Sequence, residues 1–181
     1  ENFWKNKIEN ALHLRKQLGL VNSQETNVYR LVNAEGDEMP GIVIDFYNGI
    51  IVMQIHSAGM YRIRHLLAEI LKDLYAKNLY AIYDKSEMTI PEKTGLNAKN
   101  EFLFGSQYET VIKENDCKFH INVIEGQKTG FFIDQRENRR LISSYCANKE
   151  VLNVFCYTGG FSVYAAKGGA SLVESVDASG T

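Results

Sequence analysis

Apolar positions in this chain change period several times, and each change marks an element. Phe3, Ile8, Ala11, Leu12, Leu14 and Leu18 recur at helical spacing, with Lys5, Lys7, Glu9, Arg15 and Lys16 largely on other faces. Residues 3–18 are therefore expected to be helical, with Gly19 ending the helix. Residues 28–33 suit a short strand. Glu35-Gly36-Asp37 and Met39-Pro40-Gly41 then break the chain. Residues 42–46 and 50–56 are two apolar runs joined through Tyr47-Asn48-Gly49, and Asn-Gly between such runs signals a hairpin. Over residues 60–77 the period returns to three and four (Ile63, Leu66, Leu67, Ile70, Leu71, Leu74), which predicts one helix. Residues 79–83, 102–104 and 108–114 are expected to be extended. Strands, a helix and more strands make an α+β domain over residues 1–113.

The second half has a different rhythm. Phe119, Ile121 and Val123 alternate with Lys118, His120 and Asn122, as in a half-exposed strand over 117–125. Gly126-Gln127-Lys128-Thr129-Gly130 follows, then Phe131-Phe132-Ile133, and the pattern predicts a hairpin with a glycine-bounded tip. Asp134 is expected to cap a helix over 135–146 whose first turns carry Arg136, Arg139 and Arg140, with Leu141, Ile142 and Tyr145 inward. Residues 151–155 form a short apolar strand. The turn Cys156-Tyr157-Thr158-Gly159-Gly160, a helix over 161–167 and a second apolar run over 171–177 complete the series. Strand, glycine turn, helix, strand and terminal acid, in that order, open a nucleotide-type α/β sheet.

Composition narrows the class without choosing a function. Of 181 residues, 45% are hydrophobic and 23% charged, as in ordinary globular proteins. A net charge of −2 argues against nucleic-acid binding by bulk charge, though not against a local basic patch. Cys117, Cys146 and Cys156 lack metal-ligand spacing and suit a reducing, cytoplasmic setting. The apolar runs are too short to span a membrane, and the first residues lack the core of a signal peptide. Asp45 and Asp84 sit at the ends of expected strands, where turn and cap roles are commoner than catalysis, and His56 and His65 suit structural roles.

The turn after Phe155 carries the candidate chemistry. Backbone N–H groups at the start of a helix point out of the sheet, and Gly159 and Gly160 remove side chains that would block a ligand. Asp177, eighteen residues beyond Gly159, ends the next strand on the same edge. An acid there can accept hydrogen bonds from both hydroxyls of a ribose. The turn is not G-x-G-x-x-G, which disfavours a nicotinamide-dependent oxidoreductase, and no P-loop is present. A loose glycine turn with a ribose acid suits S-adenosylmethionine, which has no phosphate to cradle.

GQKTGFFIDQRENRR (126–140) followed by VLNVFCYTGGFSVYAAKGGASLVESVDAS (151–179) resembles the class I S-adenosylmethionine-dependent methyltransferases that modify cytosine C5 of 23S ribosomal RNA. YRLVNAEGDEMPGIVIDFYNGIIVMQIH (29–56) resembles the central domain of that family, which lies between a PUA-type RNA-binding domain and the methyltransferase domain. The resemblance implies an α+β central domain over 1–113 and the start of a Rossmann-like methyltransferase domain over 114–181. It implies that Phe155, Tyr157, Gly159 and Gly160 wall the cofactor and that Asp177 binds its ribose. Gln127, Lys128, Thr129, Asp134 and Arg136 would form the loop-and-helix entrance, with Arg136 facing the cofactor carboxylate. The family's PUA domain and its Asp-Pro-Pro and cysteine-bearing half find no counterpart in these residues. The chain is thus expected to be an inactive part of a larger enzyme whose catalytic residues lie elsewhere, with Cys156 a small wall residue. An unpaired edge on the strand 151–155 is then expected, covered by another copy in a homodimer or by further chain.

The competing reading is a non-catalytic RNA-binding or ribosome-assembly module. Tyr29, Phe46, Tyr47 and Tyr61 beside Arg30, Arg62 and Arg64 would form its binding face.

Overall fold

The computed structural model describes residues 1–178. Helix α1, Asn2–Gln17, leads into a sheet of five strands in the order β1-β2-β3-β4-β5. Strand β1, Val28–Asn33, is antiparallel to β2, Ile42–Tyr47, which is antiparallel to β3, Ile50–Ile55. Asn48 (φ 44°) and Gly49 (φ 94°) are both left-handed, as a two-residue hairpin matching strand twist requires. From β3 the chain crosses over through α2, Ala58–Arg62, and α3, Arg64–Tyr75, to β4, Ala81–Asp84, which is parallel to β3. Strand β5, Glu101–Gly105, closes the sheet antiparallel to β4.

The single helix expected over 60–77 is thus two. The break falls at Ile63 (φ −103°), where the Arg64 guanidinium stacks 4.1 Å from the Tyr61 ring centroid and reaches Asp84 on β4.

Both faces of this sheet are covered, and β3 accordingly opens on four consecutive apolar residues, Ile50 to Met53. On one face Leu31, Ile44, Ile51, Met53 and Ile82 pack with Ile8 and Leu12 of α1 and Leu67 and Leu71 of α3. On the other, Val28, Tyr47, Ile50 and Val52 pack with Phe119, Ile121, Val123, Phe131 and Tyr164 from the second half of the chain. That second layer seats the candidate site.

It begins with a hairpin. Strand β6, Glu109–Glu114, pairs with β7, Cys117–Asn122, around Asn115 (φ 47°) and Asp116 (φ 63°). The hairpin expected at 126–130 does not form. Asn122 Oδ1 accepts the N–H groups of Ile124 (3.0 Å) and Glu125 (3.1 Å), which ends β7 early. Phe131 N–H is taken by the Tyr47 hydroxyl instead of a partner strand. A 3₁₀ turn, Ile133–Gln135, then leads into α4, Arg136–Ser143.

Two expectations for α4 are overturned. Asp134 makes no capping hydrogen bond and pairs with Lys128 at 3.7 Å. Leu141 and Tyr145 are 58% and 68% exposed, while Arg139 is buried. A helix turns about 200° over two residues, so a face that buries Arg139 must turn Leu141 outward. Strand β8, Glu150–Val154, helix α5, Gly160–Lys167, and strand β9, Leu172–Val176, follow, with β8 and β9 parallel. The nucleotide-type order of strand, turn, helix and strand is therefore realised. Ser179, the end of the motif quoted above, lies outside the described residues.

Candidate functional site: the turn after β8

Parallel pairing brings the carboxyl ends of β8 and β9 to one edge, with Val154 opposite Val176. There the chain leaves β8 through Phe155 (φ 58°) and Tyr157 (φ 49°), both left-handed. Bulky residues pay strain for that conformation, and such strain concentrates at functional sites. Gly159 (φ 73°) donates its N–H to Cys156 O at 2.8 Å and starts α5. A Cβ at Gly159 would meet nothing nearer than 4.0 Å, so its conformation, not crowding, calls for glycine. At Gly160 a Cβ would stand 3.2 Å from Arg139 Cδ. Asp177 Oδ2 accepts the Tyr157 N–H at 2.7 Å, so the acid that ends β9 braces the turn that ends β8.

The loop 126–130 closes over this turn. Tyr157 Oη accepts Gln127 N–H at 2.9 Å and donates to Gly130 O at 3.3 Å. Phe132 meets the Tyr157 ring edge-on, 5.5 Å between centroids. Lys128 (φ 50°) lies over the Phe132 ring at 4.6 Å. Between loop and turn lies a small cleft of about 90 Å³, walled by Phe131, Phe132, Phe155, Cys156, Tyr157 and Phe161. Its outer rim is open, with Phe155 82% exposed.

Behind the cleft Arg139 is held by two bonds to the Glu114 carboxylate (2.8 and 2.7 Å) and one to Phe132 O (3.0 Å), with the Phe131 ring 4.5 Å away. The Tyr164 hydroxyl donates toward Glu114, and burial pushes its pKa up. This pair joins β6, α4 and α5 into one wall.

Phe155, Tyr157, Gly159, Gly160, Asp177, Gln127 and Lys128 thus gather around the turn. Three other expected site residues do not. Thr129 is 1% exposed, and its hydroxyl donates to Asp45 on β2 at 2.6 Å. Asp134 faces Lys128, and Arg136 donates to Glu137 at 3.1 Å. Both line a separate groove of about 340 Å³ with Arg30, Leu14 and Leu18.

Asp45 and Asp84 are neither turn nor cap residues. Asp45 lies inside β2, fully buried, and takes two bonds from Arg30 at 2.9 and 3.1 Å. Asp84 is fully buried beside Arg64 and accepts the Ser86 hydroxyl. Burial raises its pKa to about 6 against the opposing pull of Ser86 and Arg64. His56 and His65 are exposed. The aromatic face of the competing reading dissolves, because Tyr29, Tyr47 and Tyr61 are 3%, 0% and 7% exposed and belong to the core.

Sequence reasoning gave Asp45, Tyr47 and Arg139 other roles and did not single out Lys85, which donates to Val123 O at 2.8 Å, or Glu114. A signal existed for the first two: a carboxylate and a phenol two apart interrupt a strand of Ile, Val and Phe on one face.

A family model described as S-adenosylmethionine-dependent methyltransferase matches residues 29–181. Ribosomal RNA large subunit methyltransferase I from Aeromonas salmonicida is 42% identical over 164 residues, 90% of this chain and 41% of that protein. The Aeromonas hydrophila protein of the same name is 43% identical over 164 residues, 89% of this chain and 41% of its own length. The chain therefore spans about two fifths of these curated relatives. A putative methyltransferase from Streptococcus mutans superposes with a TM-score of 0.83 at 29% identity, over 98% of this chain and 45% of that one. A structure of a putative methyltransferase complexed with SAH also gives 0.83 at 29% identity, over 98% and 44%. The fold is shared more distantly with M. jannaschii tRNA m1G37 methyltransferase, at a TM-score of 0.59 and 18% identity, over 96% of this chain and 44% of that one.

Proposed function

The chain belongs to the S-adenosylmethionine-dependent methyltransferase family, and from that premise we propose that the protein methylates cytosine C5 in 23S ribosomal RNA. The cofactor of the family is S-adenosylmethionine. The ribosomal RNA target is supported by relatives about two fifths identical that are named as large-subunit rRNA methyltransferases, and the C5 position by the motif resemblance.

The single observation that carries the cofactor site is the braced turn, where Asp177 and the Tyr157 N–H meet at the carboxyl edge of a parallel pair. The surroundings fit such a cofactor. The cleft is largely aromatic and Gly160 lines it; Asp177 holds the N–H of Tyr157, one of its walls, and Lys128 lies over Phe132, another. In this proposal Asp177 accepts from the ribose hydroxyls, and Phe155, Tyr157, Gly159 and Gly160 wall the ligand. Gln127 and Lys128 form its lid. Thr129 and Asp134 act by shaping that lid, and Arg136 reaches the cofactor carboxylate by swinging off Glu137. The proposed division between central part and cofactor part, 113/114, runs within the β6–β7 hairpin.

When bound, S-adenosylmethionine supplies an electrophilic methyl group. The residues of this chain orient it and exclude water, and the target base must leave its stack to meet it. Cys117 and Cys146 are buried and Cys156 sits in the turn. None of the three is assigned as nucleophile.

Calorimetry of S-adenosylmethionine with the intact protein tests the site. Asp177→Ala is expected to weaken binding at least tenfold, on the order of 1.4 kcal/mol, since it removes a charged acceptor. Binding unchanged by that substitution would remove the ribose assignment.

A further inference from the structure

Two parts of the central sheet reach across to the loop 126–130 and hold it from beneath. The contacts form a directed chain. Thr129 Oγ1 lies 2.6 Å from Asp45 Oδ2 and 2.7 Å from Tyr47 Oη. A carboxylate only accepts, so the Thr129 proton goes to Asp45. Its oxygen then accepts from Tyr47 at the shorter of that hydroxyl's two donor contacts, the other being Phe131 O at 3.2 Å, while the Tyr47 oxygen accepts Phe131 N–H at 3.2 Å. The sequence of donors is Phe131 N–H, Tyr47 hydroxyl, Thr129 hydroxyl, Asp45 carboxylate, with Arg30 neutralising the end at 2.9 and 3.1 Å. Tyr47, Thr129 and Asp45 are all at or near zero exposure, so each bond is made where an unmade one is costly.

A second grip comes from β4. Lys85, just past its end, donates to Val123 O at 2.8 Å and to Gly126 O. A Cβ at Gly126 would come within 2.6 Å of both Asn122 O and Gly130 O, so the loop closes on its own backbone. Its upper side then presents Gln127 N–H and Gly130 O to Tyr157 Oη, with no side chain of the central sheet touching the cleft itself.

We propose that Asp45, Tyr47, Thr129 and Lys85 are positioning residues that fix the height of the loop 126–130 over Tyr157, and so set the affinity of the cleft for the adenosyl cofactor. This rests on the cofactor reading above. The central sheet then serves as the anvil of the site, acting through Thr129 and the loop and not through any contact with ligand.

The test measures S-adenosylhomocysteine affinity of the intact protein by calorimetry, at a temperature where circular dichroism shows each variant folded. Thr129→Val keeps the shape and removes the hydroxyl, leaving Asp45 and Tyr47 without their shared partner. Its Kd should rise about tenfold, the scale of one unmade buried hydrogen bond. Thr129→Ser restores the hydroxyl and should stay within about twofold of the original. Tyr47→Phe, which cuts the chain one step earlier, should weaken binding in the same direction. A merely structural role predicts a lower Tm with Kd unchanged in the folded protein, and that result overturns the proposal. If Thr129→Val binds normally while Asp177→Ala does not, positioning fails and the cofactor site stands. If the unsubstituted intact protein binds no cofactor, the site itself is wrong and this inference falls with it.

Discussion

Ile51, Val52 and Met53 in β3 lose all contact with water, whereas Leu152 and Val154 in β8 keep 62% and 47% of their surface. Both strands are short and apolar, and both lie in parallel pairs. What separates them is what lies above and below. Helices α1 and α3 cover one face of the central sheet, and the β6–β7 hairpin, Phe131 and Tyr164 cover the other. The β8–α5–β9 unit has α5 on one side and leaves its strand ends accessible. Polar groups follow the same division. In the central sheet Asp45, Asp84 and Tyr47 are consumed by internal partners. At the end of β8 a strained turn and a carboxylate stand at an open rim. A region that pairs its buried polar groups almost wholly within itself, with only Arg64 Nε and Asp84 Oδ2 lacking a hydrogen bond among the described residues, can brace a site; a region that leaves strand-end groups within reach can bind.

The sharpest way to break this contrast is through two arginines three apart on α4. Arg139→Ala strands the buried Glu114 carboxylate and should cost about 4 kcal/mol in urea unfolding. Arg136→Ala removes a pair with the exposed Glu137 at the edge of a groove and should cost under about 1 kcal/mol. Equal costs would mean that the Arg139 pair is not the joint between β6, α4 and α5.

The apolar contrast is next. Leu71→Ala in the fully buried face of α3 should destabilise by about 3 kcal/mol. Leu152→Ala in β8 should change stability by less than about 0.5 kcal/mol in the same chain. A large effect at Leu152 would show its exposed face to be covered in solution.

The smallest expected effect is a pH dependence confined to the central sheet. The Asp84 pKa is raised from 3.8 to about 6 in the folded state. The folded protein thus holds this proton more tightly than the unfolded chain. The resulting stability is fully present below the unfolded pKa and is lost as pH rises toward 6, roughly 2–3 kcal/mol in all. Asp84→Asn should flatten that limb of a stability profile taken between pH 3 and 7; an unchanged limb would assign it to another group.

Most elements were legible in the sequence because their determinants are local. The Asn48-Gly49 turn dictates the β2–β3 hairpin, the helical period dictates α1 and α3, and Gly159-Gly160 between two apolar runs marks the binding turn. Where local pattern failed, a distant partner had overruled it. Residues 131–133 look like a returning strand, but Tyr47 takes the Phe131 N–H from a site 84 residues away. Leu141 looks like the inner face of a helix, but Glu114 draws Arg139 inside and so turns Leu141 out.

The sequence by itself determined the order of elements, the glycine turn and the acid that follows it, since each depends on neighbours within a few residues. Only the tertiary structure decided that Thr129 faces the central sheet and that Arg139 is buried. It alone decided that Asp45 ends a hydrogen-bond chain rising into the loop over the turn. Those outcomes depend on which groups meet after the chain has folded back on itself, where a buried donor or charge must find its partner or not be buried at all.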